Sequence, residues 1–354
     1  MHLDQARELA RSALPRWGLP AESGISFVKY RENHVFRADA PSGESYALRL
    51  HRPGYRTENE IDTELRYVGA LHARGVPVPE VVPTVDGARL ARIEAPTTDG
   101  TTHSRSVSLL RWFPGAGALG DAGAAFVGED DSSPEDFGRI GALLARLHLA
   151  AQSIGRPDWF DRRAWDTEGL AGARPLWGDP RRLVRDDVDH AVLGEALSLL
   201  RAQLAETGEG PAVFGIVHAD TTPENILLTP GGLKLIDFDD FGAGWFVFDL
   251  VTALFHHTPH PRYAEYAQAL LAGYEAIRPL RTEEHAIWDG LMLARGLSYL
   301  GWAADRPGDP AAEFVAARVA PWVVRAAEAF VAGSAMPWQP AVRTSPTAAL
   351  QEER

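Results

Sequence analysis

The sequence predicts an α+β chain of two unequal lobes: a small antiparallel-sheet lobe first, then a larger, mainly helical one. Three observations carry that expectation. Strand-like patterning is concentrated at residues 25–50 and again at 106–115. Helical spacing dominates after Pro114. Late in the chain, "VHADTTPENILL" (217–228) and "LKLIDFDDFG" (233–242) place carboxylates on apolar strand–loop–strand ground.

The elements follow in order. Residues up to about Leu14 form a short amphipathic helix. "ISFVKY", "HVFRADA" and "SYALRLH" are strands, with "PSGES" (41–45) as a turn. In "TENEIDTELRYVGALHARG" (57–75), Ile61, Leu65, Val68 and Leu71 recur at helical spacing, and Gly75 is a stop. "VPVPEVV" and "ARLARIE" are short edge strands, and "SVSLLRWFPG" (106–115) is a buried strand ending at Pro114-Gly115. "PEDFGRIGALLARLHLAAQSI" (134–154) is a helix with Pro134 near its start. Residues 155–190 carry no assignable pattern; helix returns near 187–206, and 247–333 is almost all helix. The expected division is 1–113 for the first lobe, 114–334 for the second and 335–354 for a disordered tail. Ligand sites favour such seams between lobes.

Composition narrows the function classes. The chain has 354 residues and a net charge of −13, which argues against nucleic acid as a partner because that needs a basic face. There is no cysteine, so disulfides, thiolate catalysis and cysteine zinc sites are excluded. The opening residues carry charges throughout, and the longest apolar run, 241–255, is too short to span a bilayer and contains Asp249. A cytoplasmic protein without membrane association, monomeric or homodimeric, is expected. Only two of the 35 basic residues are lysine, Lys29 and Lys234.

His218, Asp220 and Asn225 form H-x-D-x-x-x-x-N, and Asp237 follows in D-F-D. Apolar flanks on both sides hold the backbone and leave these side chains at the loop. Phosphoryl transfer needs that inventory: a carboxylate to accept the proton of an attacking hydroxyl, and hard oxygen ligands for Mg²⁺. Asp220 sits where the base would be; Asn225 supplies a neutral oxygen and Asp237 a charged one.

Here the sequence resembles the aminoglycoside phosphotransferase and choline-kinase-like enzymes, a branch of the protein-kinase-like fold. The subgroup of type II homoserine-kinase-like proteins and the bacterial stress-response kinase is especially similar. The resemblance runs over about 25–330. It implies that Asp220 is the catalytic base, that His218 supports its loop, and that Asn225 and Asp237 are the Mg²⁺ ligands. Asp249, in "FVFDL", matches an aspartate that braces the loop from a following helix. His148 matches a position where related chains also carry histidine; by itself it reads as a packed helix residue. The implied cofactors are ATP (or GTP) and Mg²⁺.

Two departures lie in the first lobe. Kinase-like folds use a third-strand lysine on the phosphates, paired to a glutamate of the next helix. In "YALR" (46–49), Arg49 stands there. Lys29 in the first strand and Lys234 beside D-F-D are both excluded as substitutes. The helix partner is Glu64, with Glu60 one turn earlier as the alternative. The phosphate-covering turn, "YRENHVFRA" (30–38), has no glycine, leaving Asn33 and His34 at the turn. The nucleotide base would be read by the backbone around Arg111–Phe113. Asp239 and Asp240 suit a second Mg²⁺, a cationic substrate group, or a charged turn. "HHTPH" (256–260) reads as a helix end rather than a metal site. The expected activity is transfer of the γ-phosphate of ATP to a hydroxyl of a small molecule: an aminoglycoside or other antibiotic, an amino-acid alcohol, choline or a sugar. A Ser/Thr protein kinase of the stress-response type and an inactive nucleotide-binding module are the alternatives.

Overall fold

A computed structural model describes residues 3–96 and 102–339. The first lobe opens with α1 (Leu3–Ala13), whose Ala6, Leu9, Ala10 and Ala13 are buried. This stripe lies on the sheet formed by β1 (Gly24–Tyr30), β2 (His34–Asp39), β3 (Ser45–Leu50), β4 (Ala91–Pro96) and β5 (Thr102–Arg111). The strands are antiparallel in the order β1-β2-β3-β5-β4. Phe36, Leu48, Leu50, Val107 and Leu109 form a small core with α1 and Trp17. Period-2 alternation puts Arg49 on the opposite face of the sheet from Leu48 and Leu50.

Between β3 and β4 runs α2 (Glu58–His72), started by a Thr57–Glu60 capping box. Its Tyr67, Val68 and Leu71 belong to the core of the second lobe, so α2 bridges the two lobes. Thr63 Oγ1 donates to Trp159 O (3.0 Å) and Tyr67 Oη to Ala151 O (3.2 Å), which pin it there. The edge-strand expectation for "VPVPEVV" fails: only Val81 bridges, to Leu110, because two prolines remove ladder donors. "ARIEAP" does form the edge strand β4.

The second lobe contains β6 (Gly117–Ala118), α3 (Ala122–Val127), α4 (Pro134–Ile154), α5 (Thr167–Ala171) and α6 (Asp187–Thr207). Then come β7 (Phe214–Val217), β8 (Ile226–Thr229), β9 (Gly232–Leu235), β10 (Gly242–Trp245) and α7 (Phe246–Phe255). The chain continues through α8 (Tyr263–Glu275), α9 (Thr282–Ala286), α10 (Trp288–Ala304), α11 (Pro310–Phe314) and α12 (Ala320–Val331). Helices α4 and α8 approach so closely that a Cβ on Gly141 would meet Leu270 O at 2.0 Å. Among the described residues no helix is long and apolar enough to cross a membrane. Of the segment assigned to a tail, 335–339 is packed: Met336 and Trp338 are buried, and Trp338 Nε1 donates to Asp289 (2.8 Å). Residues 340–354 lie outside the described residues.

Two ladders place the carboxylates. β7 pairs with β10 and β8 with β9, all antiparallel. Ile226 faces Leu235, and Ile236 N donates to Asn225 O (2.9 Å), so Asn225 and Asp237 leave adjacent strands at the same end.

Candidate active site

His218, Ala219 and Asp220 follow β7 directly. Ala219 has φ +65° and Asp237 φ +66°, a left-handed backbone that costs a non-glycine residue about 1–2 kcal/mol. Both strained positions are therefore held by their surroundings. For the first loop the holder is Asp249 on α7. Its Oδ2 accepts from His218 N (2.9 Å) and its Oδ1 from Ala219 N (2.6 Å). Thr221 Oγ1 donates to Asp249 O (2.6 Å). His148 Nε2 donates to the same carboxylate (2.9 Å) and its Nδ1 accepts from Tyr274 Oη (2.8 Å). Burial pushes the Asp249 carboxyl up, but the His148 hydrogen bond and the other donors outweigh it and hold it below its ordinary value.

His218 is fully buried and both its ring nitrogens are engaged. Nδ1 accepts from Asp220 N (3.2 Å) and Nε2 donates to Ile236 O (2.9 Å). The imidazole thus ties the Asp220 loop to the strand that carries Asp237; it has no nitrogen left for proton transfer. Asp220 itself is 24% exposed. Asn225 Nδ2 donates to its Oδ2 (2.8 Å) and to its backbone oxygen (2.9 Å). Arg295 Nη2 donates to its Oδ1 (2.7 Å).

Arg295 is a residue of the site that sequence reasoning missed. It is 0% exposed on α10, stacked on Trp177 (4.5 Å) and Tyr299 (4.1 Å). Nη1 also donates to Ala219 O (3.0 Å) and Nη2 to Tyr299 Oη (2.7 Å). The available signal was an arginine inside the otherwise uncharged run "LMLARGLSYLGW" (291–302).

On the first-lobe side, Arg49 is 6% exposed and its Nη1 donates to Glu64 Oε1 (2.5 Å). Glu64, not Glu60, is the partner: Glu60 is committed to capping Thr57 N (2.8 Å). Arg49 Nη2 lies 3.5 Å from Asp237 Oδ1 and 3.7 Å from Asp239 Oδ1, too far to hydrogen-bond well. Arg49 Nη2, Glu64 Oε2 and Asp239 Oδ1 are buried without a hydrogen-bond partner. Burial and the charge of Glu64 push the Asp239 carboxyl up to about 7. Burial also pushes Asp240 up. Arg56 Nη2 donates to its Oδ1 (2.9 Å) and Trp177 Nε1 to the same atom (3.3 Å). Arg56 and Arg162 hold the backbone of this turn through Asp239 O.

Lys29, set aside on its place in the first strand, nevertheless reaches the site. Its Nζ donates to Asp237 Oδ2 at 3.0 Å. Burial pushes the Asp237 carboxyl up, but Lys29 and Arg49 more than offset it and hold the group well below the usual carboxylate range. Lys234 does point elsewhere, over the Phe113 ring (5.7 Å). Asn33 is a buried turn residue whose Oδ1 accepts from Arg52 N (3.0 Å). The Arg111 side chain pairs with Glu44 (2.5 Å) and Glu80 (3.5 Å). Arg111 N and Trp112 N already donate to Glu80 O and Ser45 O. In "HHTPH", α7 ends at Phe255 and His257 Nε2 contacts Asp130 (2.9 Å). A cavity of about 570 Å³, lined in part by Leu65, Arg66, Val81, Arg89 and Trp159, contains none of the expected site residues.

Among the described residues no group of three or more His, Asp or Glu side chains is disposed to hold a metal by itself. Asn225 and Asp237 instead offer two hard oxygens from adjacent strand ends, a donor set that fits Mg²⁺, which takes one or two protein oxygens and completes its shell with water and phosphate. The orphaned Arg49 Nη2, facing Asp237, fits a phosphate.

A strand-rich lobe and a helical lobe, with this loop pair between them, define a two-lobed, protein-kinase-like phosphotransferase. The profile of the phosphotransferase enzyme family matches residues 25–286, and the chain belongs to that family. A microcompartment-associated aminopropanol kinase of known structure superposes with a TM-score of 0.79 at 28% identity, over 94% of this chain and 99% of its own. An amicoumacin kinase solved in complex with AMP-PNP, Ca²⁺ and Ami superposes at 0.71, with 20% identity and coverage of 92% and 96%. The homoserine kinase of Xanthobacter autotrophicus is 28% identical over 296 residues, 79% of this chain and 82% of the relative.

Proposed function

We propose that the protein transfers the γ-phosphate of Mg·ATP to the hydroxyl of a small amino alcohol. The observation that carries this reading is the state of Asp220: one oxygen held by Asn225, the other by Arg295, at the mouth of a loop locked by Asp249. A carboxylate so oriented aligns a substrate hydroxyl and takes its proton as the phosphoryl group transfers. Asn225 and Asp237 would hold Mg²⁺, which supplies charge neutralisation at the phosphates. Arg49, kept in place by Glu64, turns Nη2 towards the same point. Asn33 shapes the covering turn, and the nucleotide base meets the backbone near Phe113, because the amides of Arg111 and Trp112 are taken.

The acceptor class follows from charge. Asp240 lies close enough to Asp220 to feel its charge, and Trp177 lies on both Asp240 and Arg295. A second carboxylate so near Asp220, with only its Oδ1 held by Arg56 and Trp177, suits an ammonium group. The likeness to an aminopropanol kinase and a homoserine kinase supports the same class. After Asp240 the chain enters β10 and then α7 with no intervening segment, which supports a small acceptor over a protein.

A coupled ADP-release assay over amino alcohols, neutral polyols, aminoglycosides and a casein-like protein tests this. Mg²⁺-dependent turnover on amino alcohols is expected, and Asp220→Ala should cut it by about 10³-fold while nucleotide binding persists. Nucleotide binding without turnover on any alcohol, or label on protein alone, would overturn it.

A further inference from the structure

The two lysines of this chain have different fates, and Lys29 has one that its place in the sequence conceals. Counting by alternation, Lys29 shares a face with Ile25 and Phe27, the face that packs on α1. The structure breaks that count. Phe27 pairs with Phe36, but Lys29 pairs with Val35, so β1 advances two residues while β2 advances one. A bulge at Val28 therefore moves Lys29 to the other face. There it joins one cross-strand row: Lys29 opposite Val35, Val35 opposite Arg49, Arg49 opposite Ser108. Lys29 and Arg49 reach Asp237 from this shared face, Nζ at Oδ2 (3.0 Å) and Nη2 at Oδ1 (3.5 Å).

The two cations are not equivalent. Arg49 is 6% exposed and one of its nitrogens is fixed on Glu64. Lys29 is 42% exposed and its ammonium has two further protons to donate. An ammonium is also the compact point charge that suits a phosphate oxygen, where a guanidinium needs a fork. We infer that Lys29, delivered by the β1 bulge, is the phosphate-gripping ammonium of this site, with the guanidinium of Arg49 held beside it by Glu64. The task that one third-strand lysine performs in kinase-like folds is divided here between two strands. The inference rests on the proposed nucleotide site.

Calorimetric titration of full-length Lys29→Met, Lys29→Arg and the parent with Mg·AMP-PNP and with adenosine tests it without turnover. Lys29→Met should weaken Mg·AMP-PNP roughly ten- to hundredfold, the size of a lost charge-assisted hydrogen bond, and leave adenosine unchanged. Lys29→Arg keeps the charge but not the compact ammonium and should recover only part of the loss. Lys29 is part-exposed and Arg49 remains beside Asp237 in the variant, so ligand-free Lys29→Met should still fold and unfold cooperatively, if at a lower temperature than the parent. If Lys29 were only the counter-ion of Asp237, its removal would free that carboxylate for Mg²⁺. Mg·AMP-PNP would then bind Lys29→Met as tightly as the parent, or more tightly, and the assignment would fall. A parent that binds no nucleotide would overturn the phosphotransferase reading of the cleft, and Lys29 with it.

Discussion

Replacing Arg295 by Met separates the holding of Asp220 from the holding of the nucleotide. The guanidinium is 0% exposed and lies 2.7 Å from Asp220 Oδ1. At an effective dielectric of about 20, that contact is worth about 6 kcal/mol gross. Desolvation of the buried cation offsets much of it. Asp220 is 24% exposed and regains water in the variant, which lowers the cost again. The Ala219 oxygen loses a donor, and the Trp177 and Tyr299 faces lose a cation. Met fills most of the volume, so the net destabilisation is about 3 kcal/mol, a fall in Tm of roughly 5 °C. The catalytic effect is larger in character than in energy. Asp220 keeps Asn225 but loses the restraint on its other oxygen, and misplacement of a base costs up to about 10²-fold. The expected kinetics at a temperature well below Tm are a kcat lowered ten- to hundredfold and a KM for ATP changed by less than about threefold, since Arg295 does not touch the Arg49–Asp237 group. Arg295→Lys retains charge but cannot fork to Ala219 O and Asp220 together, and should sit between the two. A folded Arg295→Met enzyme with kcat within about twofold of the parent would refute the positioning role, because that role requires a loss in kcat whatever happens to stability.

Two further outcomes follow from the same loops. Asp249→Ala strips partners from His218 N, Ala219 N and His148 in a site with no water access, and should cost about 3–5 kcal/mol by denaturant unfolding; a cost below about 1 kcal/mol would mean these groups find other partners. Acid should weaken the first lobe: burial and the charge of Arg105 lower His34 from 6.5 to about 4, and burial with Arg49 and Arg105 also holds His51 well below its ordinary value. The unfolded chain then takes up protons that the folded chain refuses, so this stability is present above pH about 6.5 and is lost as pH falls towards about 4. Tm measured across that window should drop, and the His34→Asn/His51→Gln variant should flatten the drop; an unchanged slope would show that other groups set it.

What the sequence made legible is what local pattern controls. The stripe Ile61, Leu65, Val68 and Leu71 is buried as its spacing requires, and α4 starts at Pro134 behind a Ser133 cap. The loop after β7 was readable because polar residues between two apolar strands have only one place to go. The choice between Glu60 and Glu64 was settled by a capping box that "TENE" already encoded: the N3 position of a helix that Thr57 caps belongs to Thr57 N. What escaped depended on distance or on register. Arg295 meets an aspartate 75 positions earlier, and no periodicity within α10 distinguishes it from an outward-facing arginine. Lys29 escaped for a subtler reason. Strand alternation is a rule with memory: one inserted residue reverses every later side chain until the strand ends. A bulge leaves no signature in "GISFVKY" except that Phe27, Val28 and Tyr30 all remain partly exposed. The ammonium beside Asp237 therefore comes from β1, while β3 supplies a guanidinium. The charge lies two strands over in the same cross-strand row, and reading the site by strand number rather than by row is what hid it.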